Sequence, residues 1–158
     1  MKHNLFILFL FSLTILACSS VKKANSSTMQ TAISQGFTGR ITELMGNQMP
    51  MKGAEPSVPK GIATTVLIYE PTNISQVRRM GTGATYTAIA TKLVASVETD
   101  STGNFTISLP AGSYSVFIKQ GSQFYANLFD TNNNIALFTV EEGKLTKVNL
   151  TVSSGASF

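Results

Sequence analysis

Residues equipped for chemistry are scarce in this chain. It has one histidine, His3, and one cysteine, Cys18, both within the first eighteen positions. Its eight carboxylates are Glu43, Glu55, Glu70, Glu98, Asp100, Asp130, Glu141 and Glu142. Past position 18 there is no imidazole and no thiol. Ser-His and Cys-His nucleophilic catalysis, and zinc sites built from His and Cys, have no residues to work with there. A two-carboxylate mechanism is the chemistry left over. The acids fall mostly at the ends of strand-like segments and in turns, where a solvated charge is the ordinary role. The chain therefore reads as a non-enzyme without a cofactor.

Two weaker constellations remain. Asp130, Asn132 and Asn134, with Glu141 at the twelfth position, partly match a calcium loop. Ile135 stands where such a loop needs glycine, and the flanks read as strands, so a polar turn is the preferred reading. Tyr86, Tyr114, Phe124 and Tyr125 are the candidates for an aromatic sugar platform. Tyr114 falls at a core position, which leaves Tyr86 and Tyr125 as the rings to look for at the surface.

Charged residues make up 13% of the 158, against about a quarter in ordinary soluble proteins. The formal charge is +4 with a sequence pI near 9.3. The basic residues are scattered, with no run longer than Lys22-Lys23 or Arg78-Arg79, so a solvated surface is expected and no nucleic-acid partner.

The N-terminus explains the one cysteine. Met1-Lys2-His3-Asn4 is a short basic lead, and positions 5–16 are apolar apart from Ser12 and Thr14. A helix of that length rises about 18 Å, short of the ~30 Å of hydrocarbon in a bilayer, so the run reads as the centre of an export signal, residues 1–17. Its end, Ile15-Leu16-Ala17-Cys18, resembles the lipobox of bacterial lipoproteins. The resemblance implies that Cys18 is lipidated and holds the protein on a membrane without spanning it. Ser19 follows where an aspartate would retain enterobacterial lipoproteins at the inner membrane. No acidic surface-export run follows either. The expected location is the bacterial cell envelope, at the outer membrane and facing the periplasm. Residues 18–35 are rich in Ser and Thr and too poor in large apolar side chains to offset the entropy of ordering, so they read as a flexible tether.

The elements that would position any site lie in residues 36–158. Positions 99–119 set the pattern. Asp100 to Gly103 makes a turn, Phe105, Ile107 and Leu109 alternate with polar residues, Pro110-Ala111-Gly112 turns again, and Tyr114, Val116 and Ile118 alternate on a second strand. A first strand is expected near Phe37, Gly39 and Ile41. A buried central strand is expected over 62–69, which is β-branched and continuously apolar. Asn73 and Gln76 match a capping box and predict one or two helical turns. Positions 81–91 suit a loop or a weak edge strand. Positions 92–98 predict a strand with Leu93, Ala95 and Val97 on one side. Positions 123–128 predict another strand, with Phe124 and Tyr125 on opposite faces. Positions 135–140 and 145–152 predict a terminal hairpin with Val148, Leu150 and Val152 inward. The fold class is all-β, a sandwich of about seven strands.

Gly39-Arg40-Ile41-Thr42, Thr99-Asp100-Ser101-Thr102-Gly103-Asn104-Phe105 and Leu109-Pro110-Ala111-Gly112-Ser113-Tyr114 resemble the carboxypeptidase regulatory-like domain. The tail around 124–148 further resembles small lipoproteins of Bacteroidetes that carry it. The resemblance implies a prealbumin-like β-sandwich that accompanies other proteins without doing their chemistry. The expected function is that of a lipid-anchored envelope protein acting as an interaction or structural module, with an envelope protein as partner. The alternative is a glycan- or small-ligand-binding module.

Overall fold

The computed structural model describes residues 33–49, 52–53 and 57–157. Cys18, the expected export signal and most of the expected tether lie outside these residues. The described chain is an all-β sandwich of two packed sheets. Its strands are β1 (Gly36–Asn47), β2 (Lys60–Gly61), β3 (Thr65–Tyr69), β4 (Val77–Arg79), β5 (Thr85–Ile89), β6 (Leu93–Glu98), β7 (Asn104–Ser108), β8 (Gly112–Gln120), β9 (Gln123–Tyr125), β10 (Leu137–Val140) and β11 (Leu145–Ser157). Among the described residues no helix is long and apolar enough to cross a membrane.

The four-stranded sheet is centred on β1. Strand β11 runs parallel to it on one side, while β7 and then β2 pair antiparallel along the other. The larger sheet runs β4-β5-β9-β8-β3-β6, with β10 continuing beside β8. Alternation places Phe37 and Ile41 of β1, Phe105 of β7, and Val148, Leu150 and Val152 of β11 inward. They meet Val66, Ile68, Val116 and Ile118 of β3 and β8 in one core. Each such side chain contributes about 1.5–3 kcal/mol of transfer free energy.

Strand β3 reads as continuously apolar because both of its faces are buried, as are those of β8 at Val116, Phe117 and Ile118. Leu67, Tyr69 and Phe117 point out of the sandwich into a second apolar cluster with Tyr86, Ala126, Ile135 and Ala136. Phe117 sits edge-on to Tyr69 and Tyr86, with ring centroids 5.5 and 5.8 Å away. The segment between β9 and β10 covers this layer. Its backbone is tied by Ala136 N–H to Leu128 O and Ile135 N–H to Thr72 O.

Several local expectations hold. Asn73 caps a single 3-10 turn, Ile74–Gln76, and the Gln76 side chain accepts the Asn73 N–H at 2.8 Å. Four differences have physical causes. The turn is followed directly by β4, so positions 81–91 contain an interior strand, β5, held between β4 and β9. The expected terminal hairpin is split, because β10 pairs with β8 in one sheet and β11 with β1 in the other. The Pro110-Ala111-Gly112 turn likewise carries the chain from one sheet to the other. Finally, a register shift opposite Ile68 and Tyr69 rotates Leu93 out of line with Ala95 and Val97, leaving it exposed.

Candidate functional site

The outer face of the four-stranded sheet carries an open cleft of about 750 Å³. Its floor follows from strand register. On β1, Thr38 and Arg40 point outward, opposite in side-chain direction to Phe37 and Ile41. Lys147 and Asn149 of β11 stand beside them on one flank, and Thr106 and Asn104 of β7 on the other. Two rows result, Lys147–Thr38–Thr106 and Asn149–Arg40–Asn104, with neighbours about 4.8 Å apart across the sheet and rows about 6.8 Å apart along it.

Arg40 is fixed from two directions. Its backbone N–H donates to Asn149 Oδ1 at 3.1 Å, and its Nε–H donates to the Thr102 carbonyl at 2.8 Å. Thr102 belongs to the turn that opens β7, and that turn is organised by one carboxylate. Asp100 Oδ1 accepts from the Thr102 N–H (2.8 Å), the Thr102 hydroxyl (2.7 Å) and the Asn104 N–H (2.9 Å). Asp100 Oδ2 accepts from the Asn104 amide at 3.4 Å. The Thr102 hydroxyl above all, then the Asn104 backbone, hold the Asp100 carboxyl down to about 2.

The turn is pressed against β1. Gly103 has φ +87°, its carbonyl accepts the Ile41 N–H at 2.8 Å, and a Cβ there would stand 2.0 Å from the Ile41 oxygen. At Gly61 a Cβ would stand 1.8 Å from the Thr102 oxygen. Glycine is required at both positions by close approach.

The cleft is a set of donors. Among the described residues, Lys147 Nζ, the two terminal nitrogens of Arg40 and Asn149 Nδ2 make no hydrogen bond, while both Asp100 oxygens are engaged. The Thr38 and Thr106 hydroxyls bond to each other at 2.9 Å. Such an arrangement can hold an anionic, hydrogen-bonding ligand, and it offers no nucleophile with an adjacent base.

The residues singled out from the sequence lie elsewhere. Asp130 accepts the Asn132 and Asn134 N–H groups and the Asn134 amide, each at 2.8 Å. The Asn134 side chain and then its backbone hold the Asp130 carboxyl below its ordinary value. Glu141 is ion-paired with Lys144, whose hydrogen bond and charge lower its carboxyl. The two acids are thus separately satisfied, and among the described residues no group of three or more His, Cys, Asp or Glu comes together. The structure corrects the aromatic candidates. Tyr86 is 0% and Tyr125 2% exposed. Tyr86 is closed in by the outer apolar layer, with its hydroxyl on Ala126 O, and Tyr125 bonds Ser153 across the sandwich. Neither ring offers a face to a sugar.

Comparison with known protein families, with characterised proteins and with solved structures found no match, and nothing in it identifies a carboxypeptidase regulatory-like domain.

Proposed function

We propose that the protein is a non-catalytic, lipid-anchored envelope protein whose β-sandwich serves as a protein-interaction or structural module related to the carboxypeptidase regulatory-like domain. Acyl chains on Cys18 would fasten it to the outer membrane, with the sandwich on the periplasmic side. The observation that carries this reading is the edge of the larger sheet at β6. Among the described residues β6 pairs with β3 alone. Leu93 and Val94, which begin this strand, are 45% and 40% exposed. The opposite edge, β4, is three residues long and carries Arg78 and Arg79, which discourage pairing. An extended segment of another envelope protein would add to β6 through backbone hydrogen bonds.

The test is crosslinking in intact cells followed by purification, comparing wild type with Cys18→Ala. A partner captured reproducibly with the anchor intact and lost without it is expected. Heavy crosslinking that captures no partner in either strain contradicts the reading. A second reading, a glycan- or small-ligand-binding module, is favoured by a different observation, the donor-lined cleft on the smaller sheet.

A further inference from the structure

We propose that the cleft on the four-stranded sheet binds an oxyanion, a carboxylate or phosphate, carried on a polar ligand of saccharide size. This rests on the small-ligand reading and gives it a site and a ligand chemistry. Three observations converge on it. First, the lining holds two cations, Arg40 and Lys147, against one carboxylate, Asp100. That carboxylate is turned into its own turn by four hydrogen bonds, so its oxygens face Thr102 and Asn104. Second, Arg40 is held in advance. Its Nε bond to Thr102 anchors the guanidinium, whose two terminal nitrogens have no hydrogen-bond partner among the described residues although one of them packs beside Gly61, and a guanidinium recognises planar or tetrahedral oxyanions. Third, the remaining surface is hydroxyl and amide, from Thr38, Thr106, Asn104 and Asn149, with Phe105 beneath. It suits a ligand with many hydroxyls.

The volume, about 750 Å³, lies in the range of small-molecule sites. The ligand would span the rows. Its oxyanion would meet Arg40 and Lys147, which stand diagonally on adjacent strands, while its hydroxyls would meet Asn149 and the threonines. Preorganisation comes from Gly103 and Gly61, which let the turn approach β1 closely enough for the Thr102 carbonyl to reach Arg40.

Titration calorimetry of the full chain in detergent, at low salt, tests the proposal with four probes: tri-galacturonic acid, glucose 6-phosphate, inorganic phosphate and neutral maltotriose. Binding of at least one acidic saccharide, with none of maltotriose, is the expected result. Tri-galacturonic acid as the better ligand would assign a carboxylated saccharide, and glucose 6-phosphate a phosphorylated one. Inorganic phosphate binding as tightly as either would overturn the saccharide part. Arg40→Ala and Lys147→Ala should each weaken binding about ten-fold, the loss of one charge-assisted contact. Because Arg40→Ala also removes the Thr102 bond, Lys147→Ala is the decisive variant, since its ammonium makes no hydrogen bond with the described residues. Wild-type affinity in Lys147→Ala, equal affinity for maltotriose, or no binding of either acidic saccharide at 10 mM overturns the proposal. None of these failures touches the reading based on β6, which lies in the other sheet.

Discussion

The two sheets treat their outer faces in opposite ways. The larger sheet covers its outer face with a second apolar layer, in which Phe117 and Tyr86 are fully buried. The smaller sheet leaves its outer face open, with Lys147, Thr38, Thr106, Asn149, Arg40 and Asn104 in two rows. Each face is served by a turn of the same design. Asp100-Ser101-Thr102-Gly103-Asn104 and Asp130-Thr131-Asn132-Asn133-Asn134 both wrap a carboxylate around the N–H groups two and four residues on. Both close with the first N–H on the fifth carbonyl, at 2.9 and 3.1 Å. Both hold the fourth residue at positive φ, +87° at Gly103 and +61° at Asn133.

What differs is the surface each turn meets. The Asp130 turn docks through polar groups on the capped 3-10 turn, with Asn73 Nδ2 on Asn132 O and Ile74 N–H on Asn133 O. It helps close a structural layer. The Asp100 turn lies backbone to backbone on β1 and presents Thr102 to Arg40. It builds the wall of a cleft. One local motif therefore serves as a lid fastening on one sheet and as a site support on the other, and the tertiary neighbour decides which.

Substitutions on the two faces give the largest expected contrast. Phe117→Ala should cost about 3–5 kcal/mol, because it empties a fully buried site between two aromatic rings. Lys147→Ala should stay within about 0.5 kcal/mol. Urea unfolding monitored by circular dichroism measures both, and similar costs would break the distinction between a closed and an open face.

The two turns separate next. Gly103→Ala meets both a positive φ and the Ile41 carbonyl, so it should lose more than about 2 kcal/mol and lower Tm by roughly 5–10 °C. Asn133→Gly keeps the favoured backbone region and should change stability by a few tenths of a kcal/mol. Thermal melts of the two variants side by side check this contrast, and equal shifts would break it.

The smallest expected effect is on acid stability. The Asp100 carboxyl is held at about 2 in the folded protein, against about 3.9 in an unfolded chain. A depressed folded value stabilises above the unfolded one, so the contribution is complete above about pH 4 and fades as pH falls through about 2. Asp100→Ala should lower stability at pH 7 and flatten the acid limb between those values. Melting curves from pH 2 to 7 for Asp100→Ala, Asp130→Ala and wild type check this, with the same sign but a smaller change expected for Asp130→Ala.

Local chemistry was legible in the sequence and pairing was not. Continuous apolar character marked β3 as buried on both faces, and Asn73 with Gln76 announced the capped turn. The alternation of Phe105, Ile107 and Leu109 placed β7. The split of the terminal segments between two sheets is set by contacts distant in sequence, as is the parallel run of β11 along β1, and neither leaves a local trace. The same gap hid the cleft. Arg40 and Asn149 are 109 positions apart, and Arg40 and Lys147 read singly as scattered surface charge. Tyr86 and Tyr125 were candidates for exposure because nothing near them in sequence signals the second layer or the Ser153 contact. The Asp130 turn resembled a calcium loop because it shares oxygen-rich side chains at alternate positions, which its own backbone consumes.

The most direct test of the account is to map where an acidic saccharide perturbs the amide spectrum of the isotope-labelled full chain. Tri-galacturonic acid, or glucose 6-phosphate if calorimetry favours it, would be titrated while both faces are followed by nuclear magnetic resonance. The account predicts saturable shifts at Thr38, Arg40, Asn104, Lys147 and Asn149, with Leu67, Phe117 and Ile135 unmoved. Shifts confined to the larger sheet, or none on the smaller one at saturating probe, would contradict the assignment of the open face as the binding face.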